Sequence, residues 1–344
     1  MDHVAIDLGS RLSQVCVRSE DGEIKREYQM ATKALSKVMA QWPPSRVVVE
    51  TAAGAFAMAD AALGCGHQVR VVPATLVRSL GVGSRGIKTD RRDARILSEV
   101  STRIDLPSVH VPSHHARECK SLCGMREALV ESRTKLINTV RGWLRGRTEQ
   151  IRRGAAKGFA QRVCDHFQRK GQLLPAYVQR QLDAIDQLSA HIHQADGQLK
   201  TLANSTDICR RLMSVPGVGP VTAVRYVAAI DDRERFCDAH QVESYIGLTP
   251  GEHASSLRKR RTGITKAGAP RLRWALLQAA WVLRRRRPLD PIVLWSRQIE
   301  KRRGKFIAVV ALARKMAGVM YAMWRDGTCY DPQRAAQVSA AVAA

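Results

Sequence analysis

Four acidic residues, Asp7, Glu50, Asp90 and Asp93, stand where a folded chain could bring their carboxylates together. Asp7 ends the apolar run Val4-Ala5-Ile6, and Glu50 ends Val47-Val48-Val49. Asp90 and Asp93 lie three residues apart in Thr89-Asp90-Arg91-Arg92-Asp93-Ala94, at the start of a helical pattern. Acids at strand ends and a pair on one helix face converge although they are distant in sequence. Such a cluster repels itself unless a cation fills it, and hard carboxylate oxygens suit Mg²⁺ or Mn²⁺. The chemistry this implies is metal-assisted attack on a phosphodiester.

A second signal lies in the C-terminal half. Between Glu252 and Asp290 there is no acid, yet there are eleven Lys/Arg: Arg258, Lys259, Arg260, Arg261, Lys266, Arg271, Arg273 and Arg284 to Arg287. A charge run is usually a solvated face, but so long an acid-free interval points to a nucleic-acid partner. Just before it comes His253-Ala254-Ser255-Ser256, beside what reads as a basic loop. The Ser255 hydroxyl either hydrogen-bonds a phosphate or, once a metal or base eases loss of its proton, attacks phosphorus. Upstream, Val215-Pro216-Gly217-Val218-Gly219-Pro220 resembles a helix-hairpin-helix turn, whose N–H groups around Gly217 and Gly219 would face a phosphate. A Gly-rich turn serves equally to join two helices.

The elements needed to position these groups are legible in outline. Residues 3–8, 13–18 and 23–29 read as three strands, followed by a helix over 32–41, strand 46–50, helix 55–64 and strand 68–72. The helix carrying Asp90 and Asp93 comes next. This is the order of an RNase H/RuvC-like α/β domain, a mixed sheet with helices on its faces, placed at 1–108. Over 109–205 two helical stripes appear, Leu122, Met125, Leu129, Leu136, Val140 and Leu144, then Leu182, Ile185, Leu188, Ile192 and Leu199. They predict a helical coiled-coil hairpin with a basic connector from Arg152 to Lys170, either a spacer or a dimerisation arm. A mainly α domain is expected over 206–330 and a flexible tail over 331–344.

Composition agrees with this division. The chain has 344 residues, 45% of them apolar, and a net charge of +25. Residues 1–100 hold 14 Lys/Arg against 11 Asp/Glu, the rest 42 against 20, so the acids sit in a nearly neutral domain and the polyanion grip lies elsewhere. The eight cysteines include no Cys-x-x-Cys pair and no secretory leader is visible, which suggests reduced thiols in a cytoplasm. The apolar stretch Phe306 to Trp324 is interrupted by Arg314 and Lys315, as in a core helix rather than a membrane span. Trp274 and Trp281 read as core residues of one helix.

Taken in order, these pieces resemble the DEDD transposases of bacterial insertion sequences, a family of bridge-RNA-guided recombinases, over nearly the whole chain. The matching segments are Ile6-Asp7, Val49-Glu50-Thr51-Ala52, Lys88-Thr89-Asp90-Arg91-Arg92-Asp93-Ala94, the Val-Pro-Gly-Val-Gly turn, Tyr245-Ile246-Gly247-Leu248-Thr249-Pro250, Ser255, Gly263-Ile264-Thr265-Lys266-Ala267-Gly268 and Leu272-Arg273. The resemblance implies a RuvC-like domain, a coiled coil and a transposase domain. It implies that Asp7, Glu50, Asp90 and Asp93 hold Mg²⁺ or Mn²⁺, and that a serine becomes linked to a DNA 5′-phosphate. The family's serine sits in a Tyr-x-Ser-Gly context; here Ser255 takes that place with Tyr and Gly replaced, and Ser256 is the alternative. Donor and target DNA, a bridge RNA, and a homodimer that pairs into a tetramer are the implied partners, with no membrane.

Two other enzymes fit parts of the pattern. A RuvC-like junction nuclease would keep the acids and hydrolyse without the serine. A sugar-kinase or actin-like ATPase would use Ile6-Asp7-Leu8-Gly9-Ser10 as a phosphate loop, but the second Asp-x-Gly loop such enzymes need is not found.

Overall fold

A computed structural model describes residues 1–79, 90–255 and 258–337, which form two compact units, Met1–Pro112 and Ser113–Ala344. The first unit is built on strands β1 (Asp2–Asp7), β2 (Leu12–Arg18), β3 (Ile24–Ala31), β4 (Ser45–Glu50) and β5 (Gln68–Val72). Helices α1 (Leu35–Met39), α2 (Ala55–Gly64), α3 (Ala74–Ser79) and α4 (Asp90–Arg103) complete it. The sheet order is β3-β2-β1-β4-β5, with β1 antiparallel to β2 and parallel to β4, and β4 parallel to β5. This is the mixed α/β sheet expected.

The unbroken runs in β1 and β4 follow from burial on both faces. Val4, Ile6, Val47 and Val49 pack with Leu35 and Met39 of α1 and Ala55, Ala59 and Ala62 of α2. Ala5, Val48 and Val72 turn the other way, against Leu97 of α4 and Leu106. Proline positions close the edges: Pro43 and Pro44 precede β4, and Pro73 follows β5.

The second unit contains α5 (His114–Arg145), α6 (Phe159–Arg169), α7 (Ala176–Ser205), α8 (Asp207–Leu212), α9 (Pro220–Ile230) and α10 (Ala239–Ile246). A two-stranded hairpin follows, β6 (Pro250–Ser255) and β7 (Arg258–Ile264), then α11 (Pro270–Arg286), α12 (Pro291–Arg303), α13 (Lys305–Asp326) and α14 (Pro332–Gln337). The helices α5 and α7 lie against each other along their length, as their apolar stripes predict, with α6 in the basic connector. Met125 falls off the stripe and is 72% exposed.

The expected division near residue 205 does not separate the cores. Cys119 and Cys123 of α5 and Leu199 and Ala203 of α7 share one cluster with Leu212, Tyr226, Leu276 and Met316. Burial pushes the thiols of that cluster up, Cys209 to about 12. The far end of the α5–α7 pair has a core of its own, with Val140, Leu144, Phe159, Val163, Phe167 and Leu182.

Three expectations are corrected here. The free tail proposed from residue 331 is instead α14 over its first part: Ala335 is buried in the main core, and Lys315 Nζ donates to the Ala336 carbonyl. The basic loop around Ser255 is a β-hairpin. Trp274 is 60% exposed rather than core, whereas Trp281 is half-buried and meets Phe306 edge to face. The helix α13 is long and apolar enough to cross a membrane by length and composition, but 67% of its apolar window is buried within the unit.

Candidate active site and nucleic-acid interface

The positions of Asp7, Glu50 and Asp93 follow from strand parity and register. In β1, the alternate residues His3, Ala5 and Asp7 share the face that α4 covers, and Ala5 lies in the same core as Leu97. In the parallel ladder, Ala5 pairs with Val48 and Ile6 with Val49, so the next step sets Glu50 beside Asp7, on that same face. Both carboxylates therefore stand at the C-terminal edge of adjacent strands, and both residues are half-buried.

The direction of α4 supplies the third acid. His3 Nδ1 and Ser101 Oγ share a 2.7 Å hydrogen bond, and Ser98 Oγ donates to Cys16 Sγ at 3.2 Å. Cys16 is the ladder partner of Ala5, so α4 runs antiparallel to β1. From Ser101 back to Asp93 the helix covers about 12 Å, and from His3 to Asp7 the strand covers about 13 Å. Asp93, 3% exposed, is thus level with Asp7, beneath the helix on the sheet side. Asp90 is the first residue of α4, one turn further on, and its side chain lies outside the described residues, as do Lys88 and Thr89.

Ion pairs add to the apolar packing that holds α4 in this position. Glu27 of β3, nearly buried, receives Arg95 Nε at 2.5 Å and Arg91 Nη2 at 2.6 Å. The hydrogen bond from Arg95, and then Arg91, holds the Glu27 carboxyl below its ordinary range. After β4, Thr51 Oγ1 accepts from Ala74 N at 2.9 Å and Thr51 N donates to the Val72 carbonyl, fixing the turn that follows Glu50.

The donor set suits a hard divalent cation: oxygen ligands only, at one sheet edge and on one face. Among the described residues, no three His, Cys, Asp or Glu side chains are gathered closely enough to form a metal-binding group. The backbone brings three of the four acids to one edge without closing a cage around them.

The C-terminal residues divide. Ser255 ends β6 opposite Arg258, with Ala254 opposite Lys259, His253 opposite Arg260 and Glu252 opposite Arg261, so the basic run Arg258–Arg261 is the partner strand of the serine. Ser256 lies outside the described residues. Lys266 is exposed, with a positive φ of 58°.

Arg271 and Arg273, expected to contact nucleic acid, are engaged within the fold. Arg271 pairs with Glu127 at 2.8 Å and Glu131 at 3.4 Å, both on α5. Arg273 is 8% exposed, and its Nη1 donates to the carbonyls of Ile246 (2.9 Å), Gly268 (3.2 Å) and Ala267. A guanidinium so enclosed is held by hydrogen bonds and cannot reach a phosphate. Arg284 likewise pairs with Glu300 at 2.5 Å. The acid-free interval is acid-free only in sequence, because the fold supplies Glu127, Glu131 and Glu300 from outside it.

Sequence reasoning missed what Arg273 does. Gly247 and Gly268 have φ of +78° and +69°, and a Cβ on either would stand about 2 Å from the Ala267 or Tyr245 carbonyl oxygen. The segments before β6 and after β7 therefore interlock backbone to backbone, and Arg273 ties them together. This clamp holds the hairpin that carries Ser255. The signal available was slight: two glycines, Gly247 and Gly268, that both precede Arg273 in the sequence.

The Gly-rich turn also divides. Gly217, at φ +100°, faces inward: a Cβ there would lie 2.5 Å from the Ala279 carbonyl oxygen of α11. Its glycine requirement comes from packing rather than from a ligand. Gly219 is the N-cap of α9, followed by Pro220, with open space beside it.

Comparison with known proteins agrees with this architecture. Residues 4–147 match a family model for the DEDD-type transposase of IS110 elements, and residues 209–291 match one described as the transposase IS116/IS110/IS902 family. The chain is similar to the transposase for insertion sequence element IS1111A of Coxiella burnetii, 29% identical across 93% of this chain and 88% of that protein. It is similar also to the transposase for insertion sequence element IS1328 of Yersinia enterocolitica, 25% identical across 95% and 98%. Both family models and both relatives thus point the same way: the chain is similar to the IS110/IS116 transposases of insertion sequences with a DEDD domain, enzymes that act on DNA by strand cleavage and transfer.

Proposed function

We propose that this transposase cuts and rejoins DNA by a metal-assisted transesterification, in which Asp7, Glu50, Asp90 and Asp93 hold Mg²⁺ or Mn²⁺ and Ser255 is the nucleophile. The observation that carries the metal assignment is the shared edge and face of Asp7 and Glu50, with Asp93 of α4 at the same level. A bound divalent ion would neutralise the carboxylates and stabilise charge developing on the scissile phosphate and the leaving oxygen.

In the proposed step the Ser255 Oγ–phosphorus bond forms as the bond to the 3′ oxygen breaks. The serine proton is lost and the 3′ oxygen leaves as a hydroxyl, so a 5′-phosphoserine ester stores the bond. Attack by a 3′ hydroxyl of a second strand reverses the step and regenerates the serine, with no nucleotide hydrolysed. Arg258 and Arg260, on the partner strand of the hairpin, together with Lys259, Arg261, Lys266 and Gly219, would grip the backbone around it. By resemblance, a bridge RNA supplies target recognition, and the acting species is a dimer that pairs into a tetramer.

The test is cleavage of a labelled donor duplex with Mg²⁺ or Mn²⁺. Asp7→Asn and Asp90→Asn should each lose strand cleavage by at least about a hundredfold while DNA binding persists. Full cleavage by both variants would remove the acids from the reaction. Sequencing RNA that copurifies with the protein tests the guide: one discrete structured transcript is expected, and random fragments only would count against it. The hydrolytic reading shares the acids and differs in producing no protein-linked DNA.

A further inference from the structure

The connector between α5 and α7 is more basic than a spacer requires. Residues 141–170 carry nine Lys/Arg against Glu149 and Asp165, and residues 148–208 lie between the two family matches. A small core of Leu144, Phe159, Val163 and Phe167 fixes the shape of this end of the helical hairpin. Beside it lies a cavity of about 740 Å³ lined by Arg141, Arg145, Arg152, Arg153 and Arg162.

The cavity is a built feature. Arg162 Nη2 donates to the Ala155 carbonyl at 2.6 Å, and Gly154 comes so close that a Cβ there would sit 2.9 Å from the Arg162 guanidinium carbon. The segment around Gly154 is thus wrapped about a cation. Arg141 is steadied over the Phe159 ring at 5.5 Å. One carboxylate lines the cavity, Glu149, and it is already engaged by Lys170 Nζ at 2.6 Å and His166 Nε2 at 2.7 Å. Those two partners hold it below the ordinary carboxyl range. Among the described residues no ion pair joins an acid to Arg141, Arg145, Arg152 or Arg153, all four of them exposed.

Exposed guanidiniums around a concavity whose single acid is compensated form a receptor for phosphate oxygens, which arginine's planar fork matches. We propose that the tip of the α5–α7 hairpin is a second nucleic-acid site, gripping phosphodiester backbone through Arg141, Arg145, Arg152 and Arg153, separate from the hairpin of Ser255. Backbone contacts of this kind position a duplex without reading its sequence. The chemistry is common to DNA and RNA, and the experiment separates them.

Binding of the full-length protein to a labelled DNA duplex and to a labelled structured RNA is measured by anisotropy over a salt series. Arg152→Glu/Arg153→Glu should weaken binding at least about tenfold near physiological salt and make the log–log salt slope shallower by about two. Lys120→Glu/Lys200→Glu, exposed positions at the opposite end of the two helices, changes net charge equally and sets the effect of charge alone. Arg152→Gln/Arg153→Gln, with a thermal melt, serves should the reversal disturb the fold. A loss beyond the charge control on RNA alone assigns the tip to RNA, and on DNA alone to DNA; either supports the site. Equal effects of tip and base pairs, or no loss on either ligand, overturn it. Asp7→Asn should retain the tip's binding, so this result is independent of the cleavage chemistry.

Discussion

Asp93 is the residue on which the metal proposal is most exposed to test, because it is nearly inaccessible yet carries a carboxylate at the level of Asp7. Asn is close to Asp in shape, so Asp93→Asn removes the charge with little change in packing. Cleavage should fall at least about a hundredfold with the melting temperature held within a few degrees; a fully active, stable Asp93→Asn would exclude it as a ligand. At this scale the sequence was informative where chemistry meets periodicity. Asp7 and Glu50 could be read because each interrupts an apolar run at its end. Arg271, Arg273 and Arg284 were misread because their partners, Glu127, Glu300 and the carbonyls beside Gly247 and Gly268, lie on other elements. A charge count along the chain does not see them.

At the scale of elements, two devices position the chemistry. The first is the Glu27 link between β3 and α4. Its carboxyl, held low chiefly by Arg95, contributes stability that is present above the ordinary carboxyl range and lost as pH falls through the depressed value. Glu27→Gln should therefore lower the melting temperature at neutral pH, and the difference from wild type should shrink as the pH is taken below that range. An unchanged difference at acid pH would mean the link is not electrostatic. The second device is the clamp around Arg273. Arg273→Ala strands three carbonyls and empties a buried site, at a cost of about 2–4 kcal/mol, whereas Lys should restore part of the melting temperature. If Arg273→Ala melts like wild type but binds DNA weakly, Arg273 is a ligand contact after all. The strands and helices of the first unit were legible because their apolar periods and prolines are local. The β6–β7 hairpin was not, since Arg258–Arg261 has neither apolar alternation nor strand-forming residues, and the glycine interlock at its base joins segments that are distant in sequence.

The whole molecule separates its charge: a nearly neutral sheet unit bears the acids, and the helical unit bears most of the net +25. Affinity for any duplex should therefore drop steeply with salt, by about 0.9 in log–log slope for each phosphate engaged. The division of the second unit was only partly legible. Two long helices showed as apolar stripes, but their sharing of a core with α8, α9, α11 and α13 rests on Cys119, Cys123, Leu199 and Ala203, which carry no signal of their partners. The measurement that bears most directly on the central claim is mass spectrometry of the DNA-linked peptide after cleavage, with nuclease and protease digestion. The account predicts a nucleotide 5′-phosphate on Ser255, absent from Ser255→Ala. Complete metal-dependent cleavage with no protein-bound nucleotide, or with the nucleotide on another residue, would contradict it.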